Sequence, residues 1–131
     1  MAFALKVFDQ TNAGQREPSI TLQLASERIS ARELLRQRVK SEVDKFNSTQ
    51  SDVFHGLVQP TETERVLNGF RLRKHRDLDW EKQFAAAVSA FESGQIYLLV
   101  DDRQLESLDE EFGISATTEV IFLKLVALAG G

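Results

Sequence analysis

Residues 119–131 read Glu-Val-Ile-Phe-Leu-Lys-Leu-Val-Ala-Leu-Ala-Gly-Gly. From Val120 to Val126 every residue is apolar except Lys124. A strand that leaves no alternate position polar is buried on both faces, which is the pattern of a central strand rather than an edge strand. The fold is decided by what stands on either side of it.

Working back along the chain, residues 95–100, QIYLLV, read as a second strand; Asp101-Asp102-Arg103 turns it, and 104–108 returns as a short strand. At the N-terminus, residues 2–8 alternate, with Phe3, Leu5 and Val7 on one face and Ala4, Lys6 and Phe8 on the other. Residues 20–24 alternate again through Ile20, Leu22 and Leu24. The polar stretch 11–19, with Asn12, Gly14 and Pro18, makes these two runs a hairpin with a long loop.

Ser30-Ala31-Arg32-Glu33 is a capping box: the Ser hydroxyl accepts from the N–H three residues on, and Glu33 can answer at Ser30. Leu35, Val39, Val43 and Phe46 follow at helical spacing, so 31–46 is an amphipathic helix with one buried stripe. Residues 47–94 form an inserted helical segment. Thr61-Glu62-Thr63-Glu64 predicts a short helix ending at Asn68-Gly69. Asp79 caps a longer helix over 80–93, with Phe84, Val88 and Phe91 as its stripe and Gly94 as its C-terminal cap.

Composition narrows the function. The 131-residue chain has no Cys and two His, His55 and His75, with no acid or Cys at ligand spacing. Disulfides, thiolate sites and cysteine nucleophiles are excluded, no metal or other cofactor is expected, and an enzyme is disfavoured. A net charge of −4 argues against nucleic acid as a partner. No apolar run approaches the ~18 residues of a membrane span. The N-terminal residues carry no basic segment of a secretory signal, so a cytoplasmic protein without a membrane partner is expected.

The order hairpin, helix, insertion, strand, short strand, central last strand resembles the β-grasp arrangement of ubiquitin-like proteins. The resemblance covers residues 2–46 and 95–131 and becomes specific at Leu128-Ala129-Gly130-Gly131. Ubiquitin and the sulfur carriers also end in diglycine straight after the last strand, and bacterial ubiquitin-like modifiers are similar. It implies an α+β fold: a single β-grasp domain over 1–131, with a mixed sheet, one packed helix and a helical insertion at about 47–94 before the third strand.

The resemblance also implies a chemistry. An activating enzyme, which supplies the ATP site, adenylates the Gly131 carboxylate; a conjugating enzyme passes the acyl group to an amine of a target protein; a metalloprotease cleaves the product. Gly130 and Gly131 have no Cβ to obstruct a narrow site. Where ubiquitin has arginines beside the diglycine, this chain has Ala127 and Ala129, so its tail is apolar like that of the sulfur carriers. Three functions are therefore weighed: a modifier conjugated through Gly131, a sulfur carrier with a terminal thiocarboxylate, and a non-conjugated, self-assembling binding module.

Related modifiers bind enzymes through the open sheet face. If Ile20, Leu22, Leu24, Ile121, Leu123 and Leu125 meet the helix, then Phe8, Phe122 and Lys124 point outward, with Leu128 beside them on the tail as partner-binding residues. Phe84, Val88 and Phe91 exceed what a minimal core requires, so they either cover that face or join copies into a homo-oligomer. Arg71, Arg73, Lys74, His75 and Arg76 read as a solvated basic loop, the alternative being a surface for nucleic acid or an acidic partner, and Trp80 reads as a packing residue or else an interface anchor.

Overall fold

The alternation of Phe3, Leu5 and Val7 builds strand β1 (Phe3–Thr11), and that of Ile20, Leu22 and Leu24 builds β2 (Glu17–Leu24), its antiparallel partner. The structure is a computed structural model and describes residues 3–11, 14, 16–67 and 69–125. The chain continues through β3 (Arg28–Ser30), α1 (Ala31–Asn47), β4 (Val53–Phe54), β5 (Thr63–Val66), β6 (Gly69–Leu72) and α2 (Trp80–Glu92). It ends with β7 (Ile96–Val100), β8 (Arg103–Leu105), β9 (Glu111–Gly113) and β10 (Glu119–Lys124). It is an α+β protein that divides into two units, residues 1–34 with 90–131, and residues 35–89.

The first unit holds a five-stranded mixed sheet in the order β2-β1-β10-β7-β8. As its apolar run predicts, β10 is interior: it lies parallel to β1 on one side and antiparallel to β7 on the other. Register fixes the faces. Val7, Val120 and Val100 lie abreast, as do Phe122 and Leu98, and all are buried. Leu5 with Leu22, and Phe3 with Leu24, extend this inner row across β1 and β2.

Asp109, Glu110 and Glu111 give residues 109–115 the composition of an acidic turn, yet the structure forms β9 there and pairs it with β3. Three residues on each side are too few for a periodic signal, but Ile29 and Phe112 face each other and are both buried. This small ladder presents the 108–110 loop to the start of α1. The Ala31 and Arg32 N–H groups donate to the Glu110 and Leu108 carbonyls, both at 2.9 Å, and the Glu33 N–H donates to Ser30 Oγ at 3.1 Å. Helix-start donors that would otherwise be unsatisfied are thus paired, and Ser30 caps the helix as read.

In the second unit Leu35, Val39, Val43 and Phe46 are buried, as their spacing predicts. The short helix expected from Thr61 does not form. Residues 63–66 and 69–72 are the strands β5 and β6, and β4 joins them in a three-stranded sheet ordered β4-β6-β5. Glu62 takes a left-handed φ of 58°, and Thr63 Oγ1 donates to the Pro60 carbonyl at 2.7 Å, so the threonine closes a turn rather than starting a helix. The inserted segment is therefore part sheet and only part helix.

Helix α2 starts as expected, with the Glu81 N–H donating to Asp79 Oδ1 at 2.9 Å, and stops at Gly94, whose φ is 78°. Its buried side differs from the expectation. Gln83, Ala87 and Ala90 are buried, whereas Trp80, Phe84, Val88 and Phe91 are half-buried. The Gln83 amide explains part of the shift: its Nε2 donates to the Val58 carbonyl at 3.1 Å, so a polar residue occupies the inner side. Arg38, 1 % exposed, donates from Nε and Nη2 to Glu42 Oε2, while Glu42 Oε1 accepts from the Leu57 N–H at 3.1 Å. No helix among the described residues is long and apolar enough to cross a membrane.

Candidate partner-binding face and the strand that leads to the tail

Alternation along β1, β10 and β7 gives the sheet of the first unit a second face. Phe8, Ile121 and Leu99 lie abreast on it, and Gln10, Leu123 and Tyr97 form the next row. Every one of these six is half-buried. The patch is bounded on one side by a charge clasp: the Arg16 guanidinium carbon sits 4.0 Å from the Phe8 ring centroid, and Arg16 Nη1 and Nη2 reach Glu119 Oε1 and Oε2 at 3.1 and 3.4 Å. The cation therefore stacks on the ring while forking onto a carboxylate.

This arrangement corrects part of the expected face. Phe8 is on it. Phe122 is not: it is 0 % exposed, in the inner row beside Leu98. Lys124 shares the alternation of Phe122, at the strand end beside Thr11 and Ile96. Ile121 and Leu123, expected to meet the helix, belong to the outer rows. An all-apolar run carries no phase, and Lys124 was the misleading marker. Glu119 was the useful one, because its carboxylate meets Arg16 beside Phe8, and the residues two and four places on share its face.

Beyond β10, the Leu125 N–H donates to the Gln95 carbonyl at 2.9 Å, and its side chain is 43 % exposed. Leu128, Gly130 and Gly131 lie outside the described residues. Phe84, Val88 and Phe91 form a half-buried stripe on α2 that continues through Trp80. Trp80 carries the Arg36 guanidinium at 5.1 Å and the Lys40 ammonium at 5.9 Å from its ring centroid.

The basic loop is partly structural. His75 stacks on Phe46 at 4.7 Å with Nδ1 2.6 Å from the Ser51 carbonyl, and Arg76 donates to the Thr61 carbonyl at 2.6 Å. Arg71, Arg73 and Lys74 are exposed. His55 is exposed, and among the described residues no group of three or more His, Cys, Asp or Glu is placed to hold a metal ion. No protein-family model, curated protein or solved structure matches the chain.

Proposed function

We propose that this chain is a ubiquitin-like protein modifier of the β-grasp type, activated at the Gly131 carboxylate and joined to amines of target proteins. The observation that carries the reading is the position of β10: an interior strand, parallel to β1, that runs directly into the apolar stretch ending in Gly130-Gly131. A hairpin, a helix opened by a capping box and an interior parallel last strand support the β-grasp assignment together.

The chemistry needs little from the chain itself. The Gly131 carboxylate attacks the α-phosphate of ATP, releasing pyrophosphate and forming an acyl adenylate. A thiol of the activating enzyme displaces AMP to give a thioester, and a conjugating enzyme transfers the acyl group to a target lysine, forming an isopeptide bond and freeing the thiol. The nucleophiles and the ATP site belong to the partners, which suits a chain without Cys. The outer face around Phe8, Ile121 and Leu123 is the surface offered to those enzymes.

A second reading has its own observation. Ala127 and Ala129 leave the tail uncharged, as in the sulfur carriers. There sulfide, not a protein thiol, displaces AMP and leaves a thiocarboxylate. Intact mass after incubation with the cognate activating enzyme and ATP separates the two: a protein thioester supports the modifier, and replacement of one carboxylate oxygen by sulfur supports the carrier. A chain that forms neither product removes both.

A further inference from the structure

The five-stranded sheet of the first unit ends in two unlike edges, β2 and β8. An open edge is ordinarily blunted by shortness, charge, proline or a bulge, because its outward N–H and C=O groups can accept another strand. β8 is blunted in two of these ways: it has three residues, Asp101, Asp102 and Arg103 stand at its start, and Glu106 follows its end. β2 has eight residues, and from Pro18 to Ser26 the chain carries no charge. Among the described residues its backbone hydrogen-bonds to β1 alone. Its protection is confined to its beginning. Pro18 lacks an N–H, and because Val7 pairs with Ile20 while Phe8 pairs with Pro18, Ser19 is the extra residue of a bulge. The stretch Ile20–Leu24 has neither device.

We propose that β2 is the seam of a two-fold dimer of this chain, in which Ile20–Leu24 of two copies pair antiparallel and join the two sheets into one. The stretch is self-complementary on both faces. An axis through Leu22 puts Ile20 abreast of Leu24 of the second copy, and Thr21 abreast of its Gln23. Residues abreast in a ladder share a face. The inner row, in which Leu5 stands with Leu22 and Phe3 with Leu24, therefore runs on into apolar side chains of the second copy. On the outer face the exposed Thr21 and Gln23 meet only uncharged polar groups. An axis through Thr21 would instead bring Pro18 and the bulge into the ladder; the Leu22 axis leaves both outside. The nearest charges, Glu17 and Glu27, lie three residues beyond either end of the paired stretch and set no like charges within it.

Pairing uses up the open edge of each copy and leaves only the short, charged β8 at the two ends of the joined sheet, so assembly closes at two. A five-residue strand is about 17 Å long and covers well under the ~800 Å² per partner of a standard interface, which places the dimer in the weak class. The pairing needs nothing from Gly131, so it stands or falls separately from the proposed function.

Sedimentation equilibrium over chain concentrations of about 0.01–1 mM tests this. The wild-type chain is expected to pass from monomer to dimer and no further, and amide hydrogen exchange within residues 20–24 is expected to slow as the dimer fills while that of β8 does not. Thr21→Glu combined with Gln23→Glu sets two acids abreast at both symmetric positions and is expected to weaken the dimer about tenfold. Thr21→Glu combined with Gln23→Lys sets an acid abreast of a base at both positions and is expected to hold the dimer at or above wild-type strength. In either variant the new acid stands beside Lys6, so the two differ at position 23 alone. Thr21 and Gln23 are both exposed, so circular dichroism should show both variants folded. A monomer throughout the series, growth beyond the dimer, exchange at 20–24 that ignores concentration, or equal dimerisation of the two variants each overturns the proposal.

Discussion

Phe8 and Ile121 stand side by side in the parallel β1–β10 pair, on the face opposite to the buried Val120 and Phe122. Neighbouring residues of one strand thus have opposite duties, and truncation should separate them. Phe122→Ala empties a fully enclosed site and is expected to cost about 3–5 kcal/mol in urea unfolding. Phe8→Ala and Ile121→Ala remove half-buried side chains and should cost about 1–2 kcal/mol. On the proposed function, Phe8→Ala and Ile121→Ala also weaken association with the activating enzyme. Equal stability losses at Phe8 and Phe122 would contradict the assignment of faces.

In the second unit, Gly56 is held against the edge of the Phe54 ring. A Cβ on Gly56 would overlap Phe54 Cζ and Cε2, and Phe54 is itself buried and meets Phe46 edge-on at 5.5 Å. The ring is 1 % exposed, so moving it displaces the side chains packed around it. Gly56→Ala is therefore expected to destabilise by about 1–3 kcal/mol, the usual range for overpacking. Thermal unfolding followed at the aromatic near-ultraviolet signal checks this, and an unchanged midpoint would show that the ring is free to move.

The β7–β8 turn uses Asp at two left-handed positions, Asp101 with φ 47° and Asp102 with φ 72°. Such two-residue hairpin loops favour Asn-Gly or Asp-Gly. Asp101 is retained for its side chain: Oδ1 accepts from the Glu119 N–H at 3.0 Å and its own N–H donates to the Glu119 carbonyl at 3.1 Å, which ties the turn to the start of β10. Asp102 is exposed and bears the same backbone cost. Asp102→Gly is expected to stabilise by up to about 1 kcal/mol. Asp101→Gly relieves the same strain but loses a hydrogen bond of about 1 kcal/mol and should gain nothing. Urea midpoints of the two variants in the opposite order would contradict this account.

The parts of the fold legible in the sequence were those with a long period or a chemical marker. Val120–Leu123 announced an interior strand, Ser30 and Asp79 announced helix starts, and Leu35, Val39, Val43 and Phe46 announced a buried stripe. The strands β3, β4 and β9 were illegible because two or three residues hold at most one and a half periods. Thr61–Glu64 misled because a capping box and a threonine-closed turn use the same residues, and only the chain around Pro60 decides between them. The binding face was half legible: Phe8 shares a face with Lys6 and Ala4 and alternates cleanly with Val7 and Leu5, but β10 carries apolar residues on both faces, so its phase came only from Glu119 meeting Arg16. The side of α2 that turns inward was hidden because Ala87 and Ala90 give no contrast with the phenylalanines beside them.

The proposed activity makes its sharpest prediction at the terminus. Deleting Gly131 leaves a carboxylate on Gly130 but withdraws it by one residue, roughly 3.3–3.6 Å in an extended chain. That exceeds the displacement of about 1 Å that already costs ~10²-fold when a reacting group is misplaced. Gly131→Ala keeps the reach but adds a Cβ next to the reacting carbon. Neither residue belongs to β10, which ends at Lys124, so both variants should melt within a degree or two of the wild type. Thioester formation with the cognate activating enzyme and ATP, read on a non-reducing gel and by intact mass, is expected to be lost on deletion and strongly reduced in Gly131→Ala. Gly56→Ala should have the converse profile, with lowered stability but a competent terminus at a temperature where it remains folded. A deletion variant that forms the ATP-dependent adduct at the wild-type rate would show that Gly131 is not the reactive end, and the chain would then act through its surfaces alone.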